Sequence, residues 1–122
     1  MEIPGIQVAS CERSFGFSWN MSQEQKAEAA AYYTELFEKV WEMGADRDVL
    51  VLDELCGAVG LGFVPEERVI AALSRKPGHL EVVLTGRNPS QKLLELADYV
   101  TEMKMIKHPY EQGIGAREGI EY

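Results

Sequence analysis

The sequence predicts an α/β domain: a three-layer arrangement in which a parallel sheet carries helices on both faces. Three observations point there. Val49-Leu50-Val51-Leu52 is an unbroken β-branched and aliphatic run, and residues 80–85 form a second one. Segments of helical period stand before, between and after these runs, and the links between them are short. Helix and strand in alternation build βαβ units, and right-handed crossovers bring the carboxyl ends of all strands to one edge of the sheet.

Each element has its own local reason. Ile6-Gln7-Val8-Ala9 alternates weakly and suits an edge strand, and the glycine-broken aromatic stretch from Phe15 to Asn20 reads as a loop. Ser22 with Gln25 three residues on is a capping-box start. Tyr33, Leu36, Phe37, Val40 and Trp41 then recur on one helical face, and Gly44 is expected as the residue just past the helix end. Residues 57–62 read as a glycine-punctuated link. Pro65, Glu66 and Glu67 open a helix whose inward face is Val69, Ile70 and Leu73. Asn88 and Pro89 are expected as N-cap and first residue of a short helix through Leu93, Leu94 and Ala97. Residues 99–106 are expected to form a third strand, and 107–122 an ordered loop across the site.

Composition bounds the function. With 122 residues there is room for one domain, and a formal net charge of -8 argues against a general nucleic-acid-backbone binder. Two cysteines, Cys11 and Cys56, stand far apart and suggest reduced thiols rather than a zinc site. No apolar run approaches a membrane span, and no secretory leader pattern is present. A soluble cytoplasmic protein is the expectation.

The chemistry concentrates where the first aliphatic run ends in adjacent carboxylates, Asp53 and Glu54. This is the Walker B pattern, in which an acid at a strand end holds Mg²⁺ on a nucleotide's phosphates. A strand end with an acid capping the next segment reads equally well. Thr85, Arg87, Lys107 and His108 are expected at the same edge. Arg87 suits a phosphate clamp, since its planar fork matches phosphate oxygens, or else a solvated surface position. His79 reads as a loop residue, and neither histidine has a partner at metal-ligand spacing. Phe17 and Trp19 suit a flat hydrophobic ligand or a lid, or alternatively packing beneath the following helix. No G-x-x-x-x-G-K-[ST] phosphate loop occurs in the chain.

Taken in order, several segments resemble the ATP:corrinoid adenosyltransferases. They include Gly16-Phe17-Ser18-Trp19-Asn20, Val51-Leu52-Asp53-Glu54-Leu55, Arg75-Lys76-Pro77-Gly78-His79 and Leu84-Thr85-Gly86-Arg87. Lys107-His108-Pro109-Tyr110 and Gly119-Ile120-Glu121-Tyr122 continue the likeness. The resemblance implies a P-loop NTPase-like (RecA-like) fold and transfer of the 5′-deoxyadenosyl group of ATP to Co(I) of a corrinoid. It implies Mg²⁺ as cofactor, with Asp53 and Glu54 serving the metal and the phosphates and Arg87 supporting the nucleotide. Phe17 and Trp19 would press on the lower face of the corrinoid. Lys107, Gly113 and Arg117 would lie beside the nucleotide. ATP, the corrinoid and a reductant for cobalt would be the partners. Family members open with a strand and phosphate loop that this sequence does not contain. A gap left in the sheet would favour self-association, such as a homodimer. The alternative is a non-catalytic corrinoid-binding or assembly module descended from the family.

Overall fold

A computed structural model describes residues 2–16 and 18–121. In chain order it contains helix α1 (Gln23–Gly44), strand β1 (Val49–Leu52), helices α2 (Leu55–Gly60) and α3 (Glu66–Ser74), strand β2 (Glu81–Leu84) and helix α4 (Gln91–Leu96). Short 3₁₀ turns lie at Ser18–Asn20 and Pro109–Gln112. The α/β class is as expected, with β1 and β2 paired in parallel, Leu50 opposite Val82 and Leu52 opposite Leu84. A parallel pair needs a long crossover. Here α2 and α3 supply it.

The capping box at α1 forms as read. The Ser22 hydroxyl accepts from the Gln25 N–H at 3.2 Å, and the Gln25 side-chain Oε1 accepts from the Ser22 N–H at 2.9 Å. Phe37 of α1 enters a core with Leu50, Leu52, Leu55, Val64, Val69, Ala72, Leu80 and Leu93, and Tyr33, Val40 and Trp41 pack against it. Val69 and Leu80 are fully buried. Burying a side chain of this kind contributes about 1.5–3 kcal/mol.

Four local expectations are corrected. Gly44 is inside the last turn of α1, not beyond it. A Cβ there would lie 2.9 Å from the Leu50 side chain, so a larger residue would make Leu50 shift. Residues 57–60 belong to α2 rather than to a loop. The N-cap of α4 is Ser90, whose hydroxyl accepts from the Leu93 N–H at 3.2 Å, while Asn88 takes a left-handed backbone at φ 51°. Residues 6–9 form no edge strand.

The largest correction concerns residues 99–106, which are irregular and wholly exposed instead of forming a third strand. Strand propensity reflects packing on a pleated surface and pairing with a neighbour. Among the described residues nothing stands beside this segment as a strand. Every residue from 95 to 121 is exposed. The sheet is likewise covered on one face only: Leu50, Leu52, Val82 and Leu84 turn toward the core, while Val49, Val51 and Val83 are exposed. Among the described residues, no helix is long and apolar enough to cross a membrane.

Candidate active site

Because β1 and β2 are parallel, both release their chains at one edge, and there the sequence places Asp53-Glu54 and Thr85-Gly86. The Thr85 N–H donates to the Leu52 carbonyl at 3.3 Å and extends the ladder by one residue. That step fixes the threonine side chain. Its hydroxyl donates to Asp53 Oδ1 at 2.6 Å and accepts from the Glu54 N–H at 2.9 Å. The Thr85 carbonyl accepts from the Cys56 N–H at 3.1 Å. Thr85, just past the end of β2, thus engages three residues of the chain leaving β1: the Asp53 carboxylate, the Glu54 amide and the Cys56 amide in the first turn of α2.

The backbone is strained at the same point. Glu54 occupies the left-handed region at φ 58°, ψ 16°, which costs an ordinary L-residue about 1–2 kcal/mol. Such strain persists only where surrounding contacts over-determine it, and it clusters at functional sites. Gly86 explains the tightness. At φ 132° any Cβ would stand 2.8 Å from Cys56 Cβ and 3.0 Å from the Gly57 nitrogen, so β2's exit passes directly against α2. Cys56 itself is buried, and desolvation pushes its thiol pKa up, with the neighbouring Glu54 charge adding to the effect.

The carboxylates of Asp53 and Glu54 are exposed, as is Arg87 two residues beyond Thr85. Arg87 takes part in none of the ion pairs among the described residues. Those residues contain no cluster of three acid, histidine or cysteine side chains able to hold a metal. Any cation here would need oxygens from a ligand or water to complete its shell.

The predicted site residues divide. Asp53, Glu54 and Arg87 share the sheet edge. Trp19 lies in the 3₁₀ turn, three-quarters exposed, and Phe17 lies outside the described residues. Lys107, Gly113 and Arg117 sit in the exposed segment that follows α4, residues 97–121, called the arm below. His108 Nδ1 accepts from the Tyr110 N–H, Gly113 takes the left-handed position after the 3₁₀ turn, and Arg117 pairs with Glu121 at 2.7 Å. No hydrogen bond or ion pair among the described residues ties the arm to Asp53, Glu54 or Thr85.

Sequence reasoning placed Thr85 at the edge without seeing its role as the joint between the two acids. It also missed an aromatic cluster beside the Trp19 turn. Phe15 packs on Tyr32 and Tyr33 with centroids 5.6 and 5.7 Å apart, and Tyr33 reaches Phe63 at 5.6 Å. The Arg13 guanidinium lies 4.7 Å from the Phe15 centroid. Only the Arg13-x-Phe15 spacing hints at this in the sequence.

The class of protein is α/β, with a parallel strand that ends in two acids held by a hydroxyl just past the neighbouring strand. The particular family follows from comparison with known proteins. The family model for the ATP:corrinoid adenosyltransferases BtuR/CobO/CobP matches residues 2–122, and the chain belongs to that family. Corrinoid adenosyltransferase CobA of Salmonella typhimurium is 40% identical over 113 residues, which cover 88% of this chain and 55% of that protein. The corrinoid adenosyltransferases of Escherichia coli K12 and a Sinorhizobium species are each 37% identical, over 109 and 114 residues, with 55% and 50% of their lengths covered. The chain spans about half the length of the curated relatives it matches.

Proposed function

We propose that this chain carries the acid-bearing edge of a corrinoid adenosyltransferase. The supporting observation is the Thr85–Asp53–Glu54 arrangement in a chain belonging to that family. In the proposed reaction the electron pair of Co(I) attacks C5′ of ATP. The C5′–O bond breaks as the Co–C bond forms, cobalt ends as Co(III), and triphosphate departs with the electron pair of the broken bond. A reductant supplies Co(I) beforehand.

Thr85 acts as a positioning residue: its hydroxyl holds one Asp53 oxygen, leaving the other directed away from the bond. Two bare carboxylates would repel a triphosphate, so the donor set calls for a hard cation between them. It fits Mg²⁺, which binds through one or two carboxylates plus substrate phosphates and keeps several waters. Asp53 and Glu54 would hold it, and when bound it would neutralise charge on the leaving triphosphate. Arg87 would meet the phosphates with its planar fork. Phe17 and Trp19 would press on the corrinoid's lower face, and Lys107, Gly113 and Arg117 would approach the nucleotide from the arm. The setting for such an edge is a three-layer sheet of the P-loop NTPase type.

The test is a chimera in which this chain replaces the matched 113-residue segment of the Salmonella typhimurium relative. With ATP-Mg²⁺ and chemically reduced cob(I)alamin, the chimera is expected to form the light-sensitive adenosylated product. Asp53→Asn is expected to lower turnover by roughly a hundredfold, the scale of removing one preorganised electrostatic group. A folded chimera that forms no product would overturn the reading.

A further inference from the structure

The segment that leads into the Trp19 turn is fastened to α1 at several residues in a row. The Glu12 N–H donates to the Tyr32 hydroxyl at 3.0 Å. The Arg13 guanidinium donates to the Glu28 carboxylate and lies 4.7 Å from the centroid of Phe15 and 5.7 Å from that of Tyr32. Phe15 in turn packs on Tyr32 and Tyr33. Residues two apart share a face of an extended chain, and residues four apart share a face of a helix. That spacing lets Arg13 and Phe15 meet Glu28 and Tyr32 together. An exposed ion pair by itself contributes little, but here the same guanidinium also lies against two rings, and the amide beside it is bonded to the hydroxyl of one of them.

The downstream end of the same stretch is fixed as well, since Ser22 caps α1 through Gln25. Residues 16–21 therefore form a loop with both ends held by one helix, and Gly16 turns the chain at φ 73°. Closing a short loop at both ends restricts its freedom. Trp19 rides in that loop, three-quarters exposed. An aromatic side chain that must lie flat on a ligand binds better when its position is set beforehand.

We infer that Arg13, Phe15 and Tyr32 are positioning residues: they clamp the Trp19 turn to α1 and set how its aromatic face meets a flat macrocyclic ligand. The inference deepens the function proposed above and rests on it for the identity of that ligand.

The experiment has a substrate-free arm and a kinetic arm. The 122-residue chain is labelled with fluorinated tryptophan at its two tryptophans, Trp19 and Trp41. Trp41, packed on Phe37, serves as the internal reference. In fluorine NMR, Arg13→Ala should move the Trp19 signal toward that of the free amino acid and sharpen it, while the Trp41 signal stays. Tyr32→Phe, which removes only the hydroxyl, should act in the same direction and less. Arg47→Ala frees Gln7, farther upstream, and should leave both signals in place. A Trp19 signal indifferent to Arg13→Ala, or one that moves equally with Arg47→Ala, would overturn the inference.

In the chimera, with ATP-Mg²⁺ and chemically reduced cob(I)alamin, Arg13→Ala should lower kcat/KM for the corrinoid roughly tenfold or more, as misplacement of a binding group does. The KM for ATP should not change. Arg13→Lys keeps a cation before Glu28 and should recover most of the loss. A parent chimera that forms no product would overturn the function proposed above and the clamp's part in it, leaving the fluorine signals to decide the clamp itself. An active chimera indifferent to Arg13→Ala would overturn the inference alone.

Discussion

The sheet edge and the arm hold the two halves of the predicted site, and they are built in opposite ways. At the edge, Asp53, Glu54 and Thr85 come from segments 32 residues apart and are locked by a hydroxyl, two amides and a glycine without room for a Cβ. In the arm, Lys107, Gly113 and Arg117 belong to a stretch whose hydrogen bonds, among the described residues, are made within a few residues. The edge is therefore organised by the fold, and the arm only by its own turns. A side chain is preorganised when its partners stand on elements that the chain's own core holds together.

The sharpest way to break this contrast is Gly86→Ala. Its Cβ would meet Cys56 at 2.8 Å and backbone at 3.0 Å, with φ at 132°. A backbone clash and a glycine-only conformation together should cost about 3 kcal/mol or more. Denaturant titration should show a clear fall in midpoint at constant slope. The matching change in the arm, Gly115→Ala, meets nothing within 4 Å and should leave the midpoint where it is. Equal effects at the two positions would mean that the arm is as tightly built as the edge.

Thr85→Val keeps the shape and removes only the hydroxyl. The Glu54 N–H and Asp53 Oδ1 lose their common partner. Because both lie at an exposed edge, water replaces much of the bond, and about 1 kcal/mol of stability should go. Adenosyl transfer by the chimera should fall more than stability does, chiefly in kcat. Thr85→Ser should restore most of the loss. A loss of stability without any kinetic effect would reduce Thr85 to a structural residue.

The same contrast explains what the sequence made legible. The α1 capping box could be read because Ser22 and Gln25 are three residues apart and satisfy each other. β1 and β2 were readable because Leu50, Leu52 and Leu80 find their apolar partners inside this chain. α2 was hidden: its two glycines argue for a loop, and its start is held by a distant group, the Thr85 carbonyl accepting from Cys56. The expectation for residues 99–106 failed for the complementary reason. Their period is that of a strand, but a strand is realised only against a neighbour. Of the site, the acids were visible from their position after an aliphatic run. The joint at Thr85 was not, since nothing local distinguishes it from any threonine ending a strand.

The smallest effect separates the arm from the core most cleanly. Arg117 donates from Nη2 and Nε to the Glu121 carboxylate, and the Glu121 N–H donates to the Arg117 carbonyl at 3.0 Å. Hydrogen bonds from the guanidinium and from the Arg117 amide lower the Glu121 pKa below its ordinary value. A carboxyl group whose pKa is lower in the formed turn than in the open chain supports that turn above the ordinary pKa. The support is lost as pH falls through the lowered value. Both groups are exposed, so the effect is small and weakens with salt. In an NMR titration, the Glu121 side-chain carboxyl signal should show a midpoint below the ordinary glutamate range. Arg117→Ala should return it to that range. Exchange at Ile120 and Glu121 should quicken in step, while the paired amides of β1 and β2 stay protected through the same transition. A shared midpoint for the arm and the sheet would mean that the two regions open as one unit, and the distinction between them would fall.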